Sequence, residues 1–553
     1  MDRPWLNSYP EGINADIDIN KYSSVVEIFE KSVKEFGDKP SFSNFGKVLS
    51  YNEFADATTA VAAYLQNTLG LQKGDRVAIM MPNLLQNPVS IFGVLRAGLT
   101  VVNTNPLYTA RELRHQLKDS GAKAIIVVEN FASTVQKVVA DTGIEHVIVT
   151  KMGDMLDFPK SLIINMVVKY IKKMVPNYSI ANAISFKTVL SEGAQQTLTS
   201  IPLNHDDIAF LQYTGGTTGV AKGAMLTHKN MVANMLQASE WIKNDVIHGQ
   251  EIVVTALPLY HIFSLTANCL VFMEAGAKNI LITNPRDFEG FVKELSSIPF
   301  TAITGVNTLF NALINTDGFK NIDFSHLKIT LGGGMSVQPA VAAQWKKITG
   351  CTLVEAFGLT ETSPAACINP LDLKEYNGSI GLPIPSTYCK LIGEDGKDVP
   401  NGEPGELCIK GPQVMLGYWN LPDETTNVLS ADGWLRTGDV AKMDDNGFFY
   451  IVDRIKDMIL VSGFNVYPNE IENVIVEHEG VLECGVIGVP DDKRGEAVKA
   501  FVVKKDDSLT EAELMAHCKE NLTGYKTPDK IVFIQELPKT NVGKVLRREL
   551  RSL

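Results

Sequence analysis

Residues 213–228 have the composition of a loop that can hold a polyphosphate. The stretch reads Tyr-Thr-Gly-Gly-Thr-Thr-Gly-Val-Ala-Lys-Gly-Ala-Met-Leu-Thr-His. Its four glycines lack Cβ atoms, so backbone N–H groups can close on an anion, while its threonines and Lys222 add hydroxyls and a cation. It is not a Walker A loop, because Ala221 precedes the lysine and Gly223 follows it. We therefore predict phosphate binding here, with a flexible surface loop as the alternative.

The patterns on either side of this loop predict the elements that position it. An apolar run of strand type, residues 208–211, precedes the loop, and a helical pattern, residues 230–241, follows it. Earlier in the chain, from residue 51 to residue 150, helical and strand patterns alternate. This alternation favours a mostly parallel, doubly wound sheet and therefore the α/β class.

Composition changes twice in the second half of the chain. Residues 381–417 are rich in proline and glycine, and we predict a small β-rich subdomain over about residues 381–450. Strand and helix patterns mix in the part that follows residue 453, which predicts a small α+β domain. We therefore predict a large N-terminal domain, residues 1–452, built on doubly wound mixed sheets, and a C-terminal domain, residues 453–553.

The overall composition excludes several classes of protein. The 553 residues are 45% hydrophobic and carry a net charge of −12, which argues against nucleic-acid binding. No apolar run approaches the ~18 residues that a membrane-spanning helix needs, and the first residues lack the pattern of a secretory signal. The seven cysteines include no C-x-x-C pair, so we expect neither a disulfide framework nor a zinc site. A reducing, cytoplasmic location fits this pattern.

Residues 159–178 interrupt the alternation with a basic, amphipathic pattern. On a helical wheel Lys169, Lys172 and Lys173 share one polar stripe, and large apolar residues cover much of the rest. Such a helix can lie on an anionic membrane surface. The alternative is a helix packed on its own domain with its lysines in solvent. Peripheral contact with the inner face of the cytoplasmic membrane is thus one of two open interpretations.

Several motifs together resemble those of the adenylate-forming superfamily, which includes acyl-CoA synthetases, luciferases and peptide-synthetase adenylation domains. Residues 213–223 resemble its signature loop Y-T-x-G-T-T-G-x-x-K-G, although Gly215 stands where many members carry Ser or Thr. Residues 355–361 resemble its Y-G-x-T-E motif, with Phe357 in place of the more usual Tyr. Residues 538–544 resemble its P-K-T-x-x-G-K motif.

Within the superfamily, the chain resembles the bacterial long-chain fatty acid–CoA ligases. That resemblance rests on residues 5–10, 257–268, 301–311, 433–439 and 453–457. It implies that a fatty acid is activated with ATP to acyl-AMP and then transferred to coenzyme A. Some members place a gating Trp shortly after the position of His261, where this chain has Ser264 and Leu265.

The resemblance also implies a role for individual residues. The nucleotide site would comprise Tyr213, Thr214, Gly215, Gly216, Thr217, Thr218, Gly219, Lys222, Gly334, Glu355, Ala356, Phe357, Gly358, Thr360, Asp439, Arg454 and Lys544. The catalytic residues would be Lys544, His261 and Glu361, and Mg²⁺ would be held by Thr217 and Glu361. A mobile C-terminal domain would turn about a hinge at Asp453. Coenzyme A would pass Ser462, Gly463 and Phe464, and the acyl pocket would include His261, Gly305, Val306, Gly332 and Gly333.

Three alternatives remain open at this point. The chain could be a medium-chain or aryl acid–CoA ligase of the same fold, or a fatty acyl-AMP ligase that loads a carrier protein. A non-catalytic nucleotide- or acyl-binding protein is an alternative from a different class. The joint presence of Lys544, Arg454, Asp439 and Glu361 argues against that last alternative. The sequence also leaves open whether the chain forms a homodimer.

Overall fold

The computed structural model describes residues 3–214, 221–462, 464–491, 493–540, 543 and 545–553. The predictions for Gly215, Gly216, Thr217, Thr218, Gly219, Gly463 and Lys544 lie outside the described residues. Within the described ranges the strands form four sheets, accompanied by helices between them in the chain. The predicted α/β class, with large N-terminal sheets and a C-terminal domain, is confirmed.

The first sheet carries both described ends of the phosphate loop. Its strands lie in the order Gly417–Tyr418, Lys222–Thr227, Ile208–Thr214, Thr100–Asn103, Arg76–Met80, Ala124–Val128, His146–Thr150 and Ile184–Ser185. The central strands pair in parallel and are buried on both faces, which explains their continuous apolar runs. Ile208–Thr214 and Lys222–Thr227 instead pair antiparallel, with Thr214 opposite Lys222. The sheet is therefore mixed.

The second sheet provides the floor of the large cleft. Its strands lie in the order Leu382–Pro383, Ala365–Ile368, Leu353–Gly358, Ile329–Gly333, Ala302–Gly305, Ile252–Thr255, Lys278–Leu281, Pro40–Asn44 and Lys47–Ser50. The strands that end at Gly305, Gly333 and Gly358 are parallel neighbours in register. Their carboxyl ends therefore meet at one edge of the sheet, where ligands bind in open α/β sheets.

The third and fourth sheets belong to the second half of the chain. The third consists of Tyr388–Ile392, Gly405–Lys410, Leu435–Met443 and Phe449–Arg454, all antiparallel, in the stretch predicted to be β-rich. The fourth has the order Phe464–Val466, Ile459–Val461, Gly495–Lys504 and Val481–Asp491, and Lys530–Phe533 pairs in parallel with Gly495–Lys504. Asp453 lies within the last strand of the third sheet.

Helices connect these strands. The α-helices are Val25–Phe36, Tyr51–Asn67, Gln86–Arg96, Ala110–Ser120, Ala132–Gln136, Lys160–Met166, Phe186–Gly193, His228–Ile242, Ile262–Ser264, Val271–Glu274, Phe288–Leu295, Asn307–Ile314, Pro339–Thr349, Pro422–Val428, Pro468–Val476, Glu511–Asn521 and Arg547–Leu550. Short 3₁₀ turns are Pro4–Ser8, Ile19–Lys21, Glu129–Phe131, Val139–Asp141, Phe319–Asn321, Thr360–Thr362 and Gly524–Lys526, and π-helical turns are Val167–Ile171 and Leu265–Leu270. The helix after the phosphate loop begins with a capping box between Thr227 and Asn230, which fixes its first turn.

The amphipathic stretch forms a shorter helix than its pattern predicted. An α-helix covers Lys160–Met166, a π-helical turn covers Val167–Ile171, and the regular structure ends there. The large side chains that stay exposed are Phe158, Leu162, Ile163, Met166, Tyr170, Ile171 and Met174. We call residues 158–174 the exposed apolar segment. Ser161 and Val168 are buried and Ile164 packs on the core, so the helix rests on its own domain while most of its large apolar side chains face outward.

Candidate active site

One large cleft brings together most of the described residues that the sequence singled out. It has a volume of about 1090 Å³ and lies at the carboxyl edge of the second sheet, bordered by the first and third sheets and by the C-terminal domain. The predicted residues that line it are Tyr213, Thr214, Lys222, His261, Val306, Gly333, Gly334, Glu355, Ala356, Phe357, Gly358, Thr360, Glu361, Asp439 and Arg454. Elements far apart in the sequence therefore build a single site.

Two glycines predicted for the acyl pocket lie behind the wall of the cleft. A Cβ atom on Gly305 would lie 2.7 Å from the Phe310 ring. A Cβ atom on Gly332 would lie 2.7 Å from Val337 and 2.9 Å from Leu353. Both glycines make room for neighbouring side chains and are not among the described residues that line the cleft, so their role in the acyl pocket stays a prediction. Gly333 does line the cleft, and its Cβ would approach the Phe263 ring at 3.0 Å.

The described ends of the phosphate loop are held by side chains from other elements. Tyr213 donates its hydroxyl to a carboxylate oxygen of Asp119 at 2.6 Å, and burial raises the pKa of this phenol. The Lys222 ammonium pairs with Glu424 and lies 5.2 Å from the centre of the Tyr418 ring. A cation with an internal counter-ion thus stands beside the loop and can exchange that partner for a phosphate.

Glu361 has a fixed orientation in the cleft. The Tyr418 hydroxyl donates to Glu361 Oε1 at 2.6 Å, and the Glu361 carbonyl accepts from the backbone N–H of Met415 at 2.8 Å. Burial, followed by the negative charge of Glu361, raises the pKa of the Tyr418 phenol, so it remains a donor. A carboxylate held in this way can serve as an oxygen ligand for a hard cation.

Glu355 and Phe357 extend from the strand Leu353–Gly358 at the edge of the cleft. Burial raises the pKa of Glu355 to about 8, so its carboxyl group carries a proton at neutral pH. The contacts of Tyr376 agree with a protonated Glu355. The Tyr376 hydroxyl oxygen lies 2.6 Å from the Val337 carbonyl oxygen and 2.8 Å from Glu355 Oε2, but its single proton can be donated to only one of them. A protonated Glu355 can donate to the phenol oxygen while the phenol donates to the carbonyl.

Asp439 and Arg454 form an ion pair on the third sheet. They are opposite each other in the antiparallel pair of strands, and Arg454 Nε lies 3.0 Å from Asp439 Oδ1. The Asp439 side chain is only 4% exposed, whereas Arg454 is half-buried and faces the cleft. A carboxylate held from behind by a guanidinium is well placed to accept hydrogen bonds from a pair of vicinal hydroxyls.

Asp453 lies at the junction between the third sheet and the C-terminal domain and is fully buried. Its two oxygens accept from the backbone N–H groups of Arg454 at 2.7 Å and Asn469 at 2.8 Å, and Arg547 Nη1 lies 3.6 Å away. Burial raises the pKa of Asp453 to about 6, against the opposite effect of Arg547. Arg547 also pairs with Glu472 at 2.8 Å. Through its contacts with Asp453 and Glu472, Arg547 links the C-terminal tail to the junction.

The C-terminal tail enters the cleft. Gly543 has φ +84°, and a Cβ atom there would lie 2.5 Å from Thr308 Oγ1 and 3.6 Å from Val306. Lys539, four residues earlier, lines the cleft and pairs with Glu483 at 2.7 Å. Gly543 therefore rests against the N-terminal domain, and Lys544 lies outside the described residues.

The residues predicted to contact coenzyme A lie elsewhere in this orientation of the C-terminal domain. Ser462 has φ +54°, and its backbone N–H donates to the carbonyl of Arg494 at 2.7 Å. Phe464 is 55% exposed and stacks on Tyr525 with ring centroids 4.8 Å apart. Neither residue is among the described residues that line the cleft.

An apolar arm extends from the cleft between the helix His228–Ile242 and the second sheet. The residues that line this arm are Asn234, Ala238, Ile242, Phe263, Thr266, Ala267, Val271, Phe272, Ile329, Leu331, Ala365, Ile368 and Leu371. His261 stands near Phe263 at its mouth, where its Nδ1 accepts from the Phe263 backbone N–H at 3.3 Å. We call this part of the cleft the acyl arm.

Several residues of the site were not predicted from the sequence. Lys456 lies in the stretch 453–457 and Arg547 follows the motif 538–544 by three residues, so their position near predicted residues was a usable signal. Tyr418 and Glu424 are distant in sequence from the groups they contact, and only the fold reveals them. The role of Thr308 likewise could not be predicted, because it depends on the contact with Gly543 in the C-terminal tail.

Comparison with known proteins agrees with this geometry. Residues 29–419 match the family model described as AMP-binding enzyme, and residues 470–544 match the AMP-binding enzyme C-terminal domain. The chain belongs to the AMP-binding enzyme family. The Asp453 junction falls between the two matched ranges.

The family includes close relatives of the whole chain. A long-chain-fatty-acid--CoA ligase of Escherichia coli O6:H1 is 58% identical over 552 residues, covering 100% of this chain and 98% of the relative. A protein of the same name from Bacillus subtilis (strain 168) is 40% identical over 99% of this chain and 97% of the relative. Among solved structures, the anthranilate CoA ligase AuaEII in complex with anthranoyl-AMP has a TM-score of 0.85 at 25% identity, covering 97% of this chain and 98% of that one.

Proposed function

We propose that the protein converts a long-chain fatty acid, ATP and coenzyme A into acyl-CoA, AMP and pyrophosphate. The observation that carries this proposal is the shared cleft. The described residues predicted to bind the nucleotide, the acyl arm and the C-terminal tail all meet in it. The names and high identity of the relatives support the same reaction.

In the first half-reaction a carboxylate oxygen of the fatty acid attacks the α-phosphorus of ATP, and the bond to the bridging oxygen of pyrophosphate breaks. Positioning and charge stabilisation dominate such a step. Lys222 would leave Glu424 and bind the leaving pyrophosphate with the loop 215–219. Asp439 and Arg454 would hold the ribose, and Phe357 would stack on the adenine. Lys544 would bridge the carboxylate and the α-phosphate.

The residues of the cleft fit a Mg²⁺ ion that arrives with the nucleotide. Mg²⁺ in phosphate sites is commonly held by one or two carboxylates together with substrate oxygens, and the oriented Glu361 carboxylate offers that donor set. No cluster of three or more His, Cys, Asp or Glu was found among the described residues. Thr217 would be the second protein ligand, and the ion would neutralise phosphate charge.

In the second half-reaction the thiol of coenzyme A attacks the acyl carbonyl, the bond to AMP breaks, and the thiol proton passes to solvent. Thr540 and Val545 line the cleft and Gly543 lies against Thr308 in the present orientation, so a thiol needs this segment to withdraw. Rotation at the junction around Asp453 would remove this segment and bring Ser462, Gly463 and Phe464 to the cleft. Domain closure of this kind commonly separates successive steps.

The acyl arm favours a hydrocarbon chain over a polar or aryl acid. Its polar wall residues are satisfied within the protein: Asn234 exchanges hydrogen bonds of 2.8 and 2.9 Å with the backbone of Ala365, and the Thr266 hydroxyl donates to the Ser363 carbonyl at 2.7 Å. A ligand in the arm therefore meets mainly carbon. Each buried methylene contributes about 0.8 kcal/mol.

The decisive experiment separates the two half-reactions. Lys544→Ala should abolish fatty-acid-dependent exchange of labelled pyrophosphate into ATP and spare acyl-CoA formation from supplied acyl-AMP. Lys519→Ala, an exposed lysine on the helix Glu511–Asn521, is the matched control and should keep both activities. Equal loss of both half-reactions in Lys544→Ala would refute its assignment. Absence of exchange in the wild type with every fatty acid would refute the proposed reaction.

The exposed apolar segment supports a second proposal, that the protein docks on an anionic membrane surface where its substrate partitions. No helix in the described part of the chain is long and apolar enough to cross a membrane. In the segment, seven large apolar side chains, among them Phe158 at 84% and Ile171 at 71% exposure, lie beside Lys169, Lys172 and Lys173. A local basic patch on a chain of net charge −12 complements anionic lipid headgroups.

Vesicle sedimentation tests this docking. Replacing Lys169, Lys172 and Lys173 with Glu should weaken binding to vesicles that contain anionic lipid at least tenfold. The charge-matched control replaces three exposed lysines elsewhere, Lys229, Lys293 and Lys320, and should bind like the wild type. Unchanged sedimentation of the first variant would overturn the proposal. So would loss of a homodimer in that variant without any change in lipid binding, because the patch would then hold a second copy of the chain.

A further inference from the structure

The acyl arm has a measurable depth, because two regular elements run along it. The helix His228–Ile242 contributes Asn234, Ala238 and Ile242, which are four residues apart and so share one face. The strand Ile329–Gly333 contributes Ile329 and Gly333 on one face of the sheet. Eight helical residues rise about 12 Å, and four strand residues span about 13 Å. Both elements therefore give the arm a similar length.

The far end of the arm is closed by an apolar wall. Phe272 and Ile329 are 3% and 4% exposed and belong to one apolar cluster, against which Ile242 and Leu371 pack. All four residues line the cleft, so their contacts form the end of the arm. Phe272 and Ile329 lie in regular elements, whereas Leu371 lies in the loop after the strand Ala365–Ile368 and is half-buried. Ile242 is also half-buried but ends the helix His228–Ile242, so Leu371 is the wall residue that no helix or strand holds.

We propose that the wall formed by Ile242, Phe272 and Leu371 sets the chain-length preference of the enzyme. This inference rests on the proposed function. Bonds of about 1.5 Å advance an extended hydrocarbon by about 1.25 Å per carbon, so about ten carbons fill the arm from Gly333 to Ile329. Longer chains reach the wall and displace Leu371 toward the surface, because it is half-buried and is held by neither a helix nor a strand. Chain-length selection therefore occurs at residues far from the reacting carboxylate.

Two substitutions should move the preference in opposite directions. Ala238→Phe fills the arm about one helical turn, or 5.4 Å, nearer its mouth, which removes space for about four carbons. Acids of C12 and longer should lose at least tenfold in kcat/KM, since each methylene that cannot be buried costs about fourfold, while C4 and C6 acids stay within twofold. Leu371→Ala opens the wall and should raise the C18-to-C10 ratio of kcat/KM about threefold or more.

The assay is acid-dependent pyrophosphate exchange across acids from C4 to C20. Ile247→Ala, an exposed residue just beyond the same helix, is the control and should keep the wild-type profile. Retained activity on C4 and C6 acids shows that Ala238→Phe has folded. If it does not fold, Leu371→Ala decides the question alone. An unchanged profile, or equal loss at every length in a folded variant, would overturn the inference and leave the proposed reaction standing. Absence of exchange in the wild type would overturn the proposed reaction itself.

Discussion

Replacing Gly543 with alanine should separate the two half-reactions without touching a charged group. The new Cβ atom would lie 2.5 Å from Thr308 Oγ1, about 1 Å closer than the ordinary contact distance, and the residue has φ +84°. A side chain in the left-handed region costs about 1–2 kcal/mol, and a misplacement of about 1 Å near the reacting atoms can cost about a hundredfold. We therefore expect pyrophosphate exchange to fall between ten- and a hundredfold.

Acyl-CoA formation from supplied acyl-AMP should fall much less, because the contact with Thr308 exists only while the tail occupies the cleft. A double-mutant cycle isolates that contact. In Gly543→Ala/Thr308→Ala the remaining Cβ of residue 308 lies at 3.7 Å, an ordinary contact, so exchange should recover by several-fold relative to Gly543→Ala, once the effect of Thr308→Ala alone is measured. Equal loss of both half-reactions, or no recovery in the double variant, would refute the reasoning.

Three further predictions follow from the contacts of the site. Glu424→Gln should lower the KM for ATP about two- to fivefold in steady-state assays, because an exposed ion pair with Lys222 is worth at most about 1 kcal/mol. Tyr418→Phe should lower pyrophosphate exchange about fivefold at limiting Mg²⁺, since it removes a hydrogen bond to Glu361 worth about 1 kcal/mol. Glu355 has its pKa raised to about 8, so the wild type should lose stability as pH rises from 5 to 8. Glu355→Gln should flatten that dependence in urea unfolding, and parallel curves would contradict the raised pKa.

The sequence predicted best what is contiguous in the chain. The strand before the phosphate loop and the helix after it have local patterns, and the structure contains both close to their predicted positions. The antiparallel strand Lys222–Thr227 between them was not predicted. The partners of the motif residues could not be predicted, because Tyr418 reaches Glu361 only through the fold. A sequence motif shows which residues are suited to a site, but it does not show which distant residues contact them in the fold.

The sequence predictions and the structure differ at two places, and each difference has a physical cause. Gly305 and Gly332 lie at or near the ends of strands, and a glycine there has the same sequence pattern whether it makes room for a ligand or for a neighbouring side chain. Amphipathicity in residues 159–178 was recognised, but periodicity alone does not say which side of a helix faces solvent. In the structure most of the large apolar side chains of this helix are exposed to solvent, whereas Ser161 and Val168 are buried.

The exposed apolar segment also affects how the protein behaves in a test tube. Its carbon-rich surface faces water in detergent-free buffer, and a fatty acid is itself a surfactant. Free acid molecules can therefore coat this surface and alter colloidal behaviour at concentrations set by micelle formation. Rate curves recorded against total fatty acid combine occupancy of the cleft with coverage of the surface. Assays that deliver the acid from a carrier at a buffered free concentration keep the two apart.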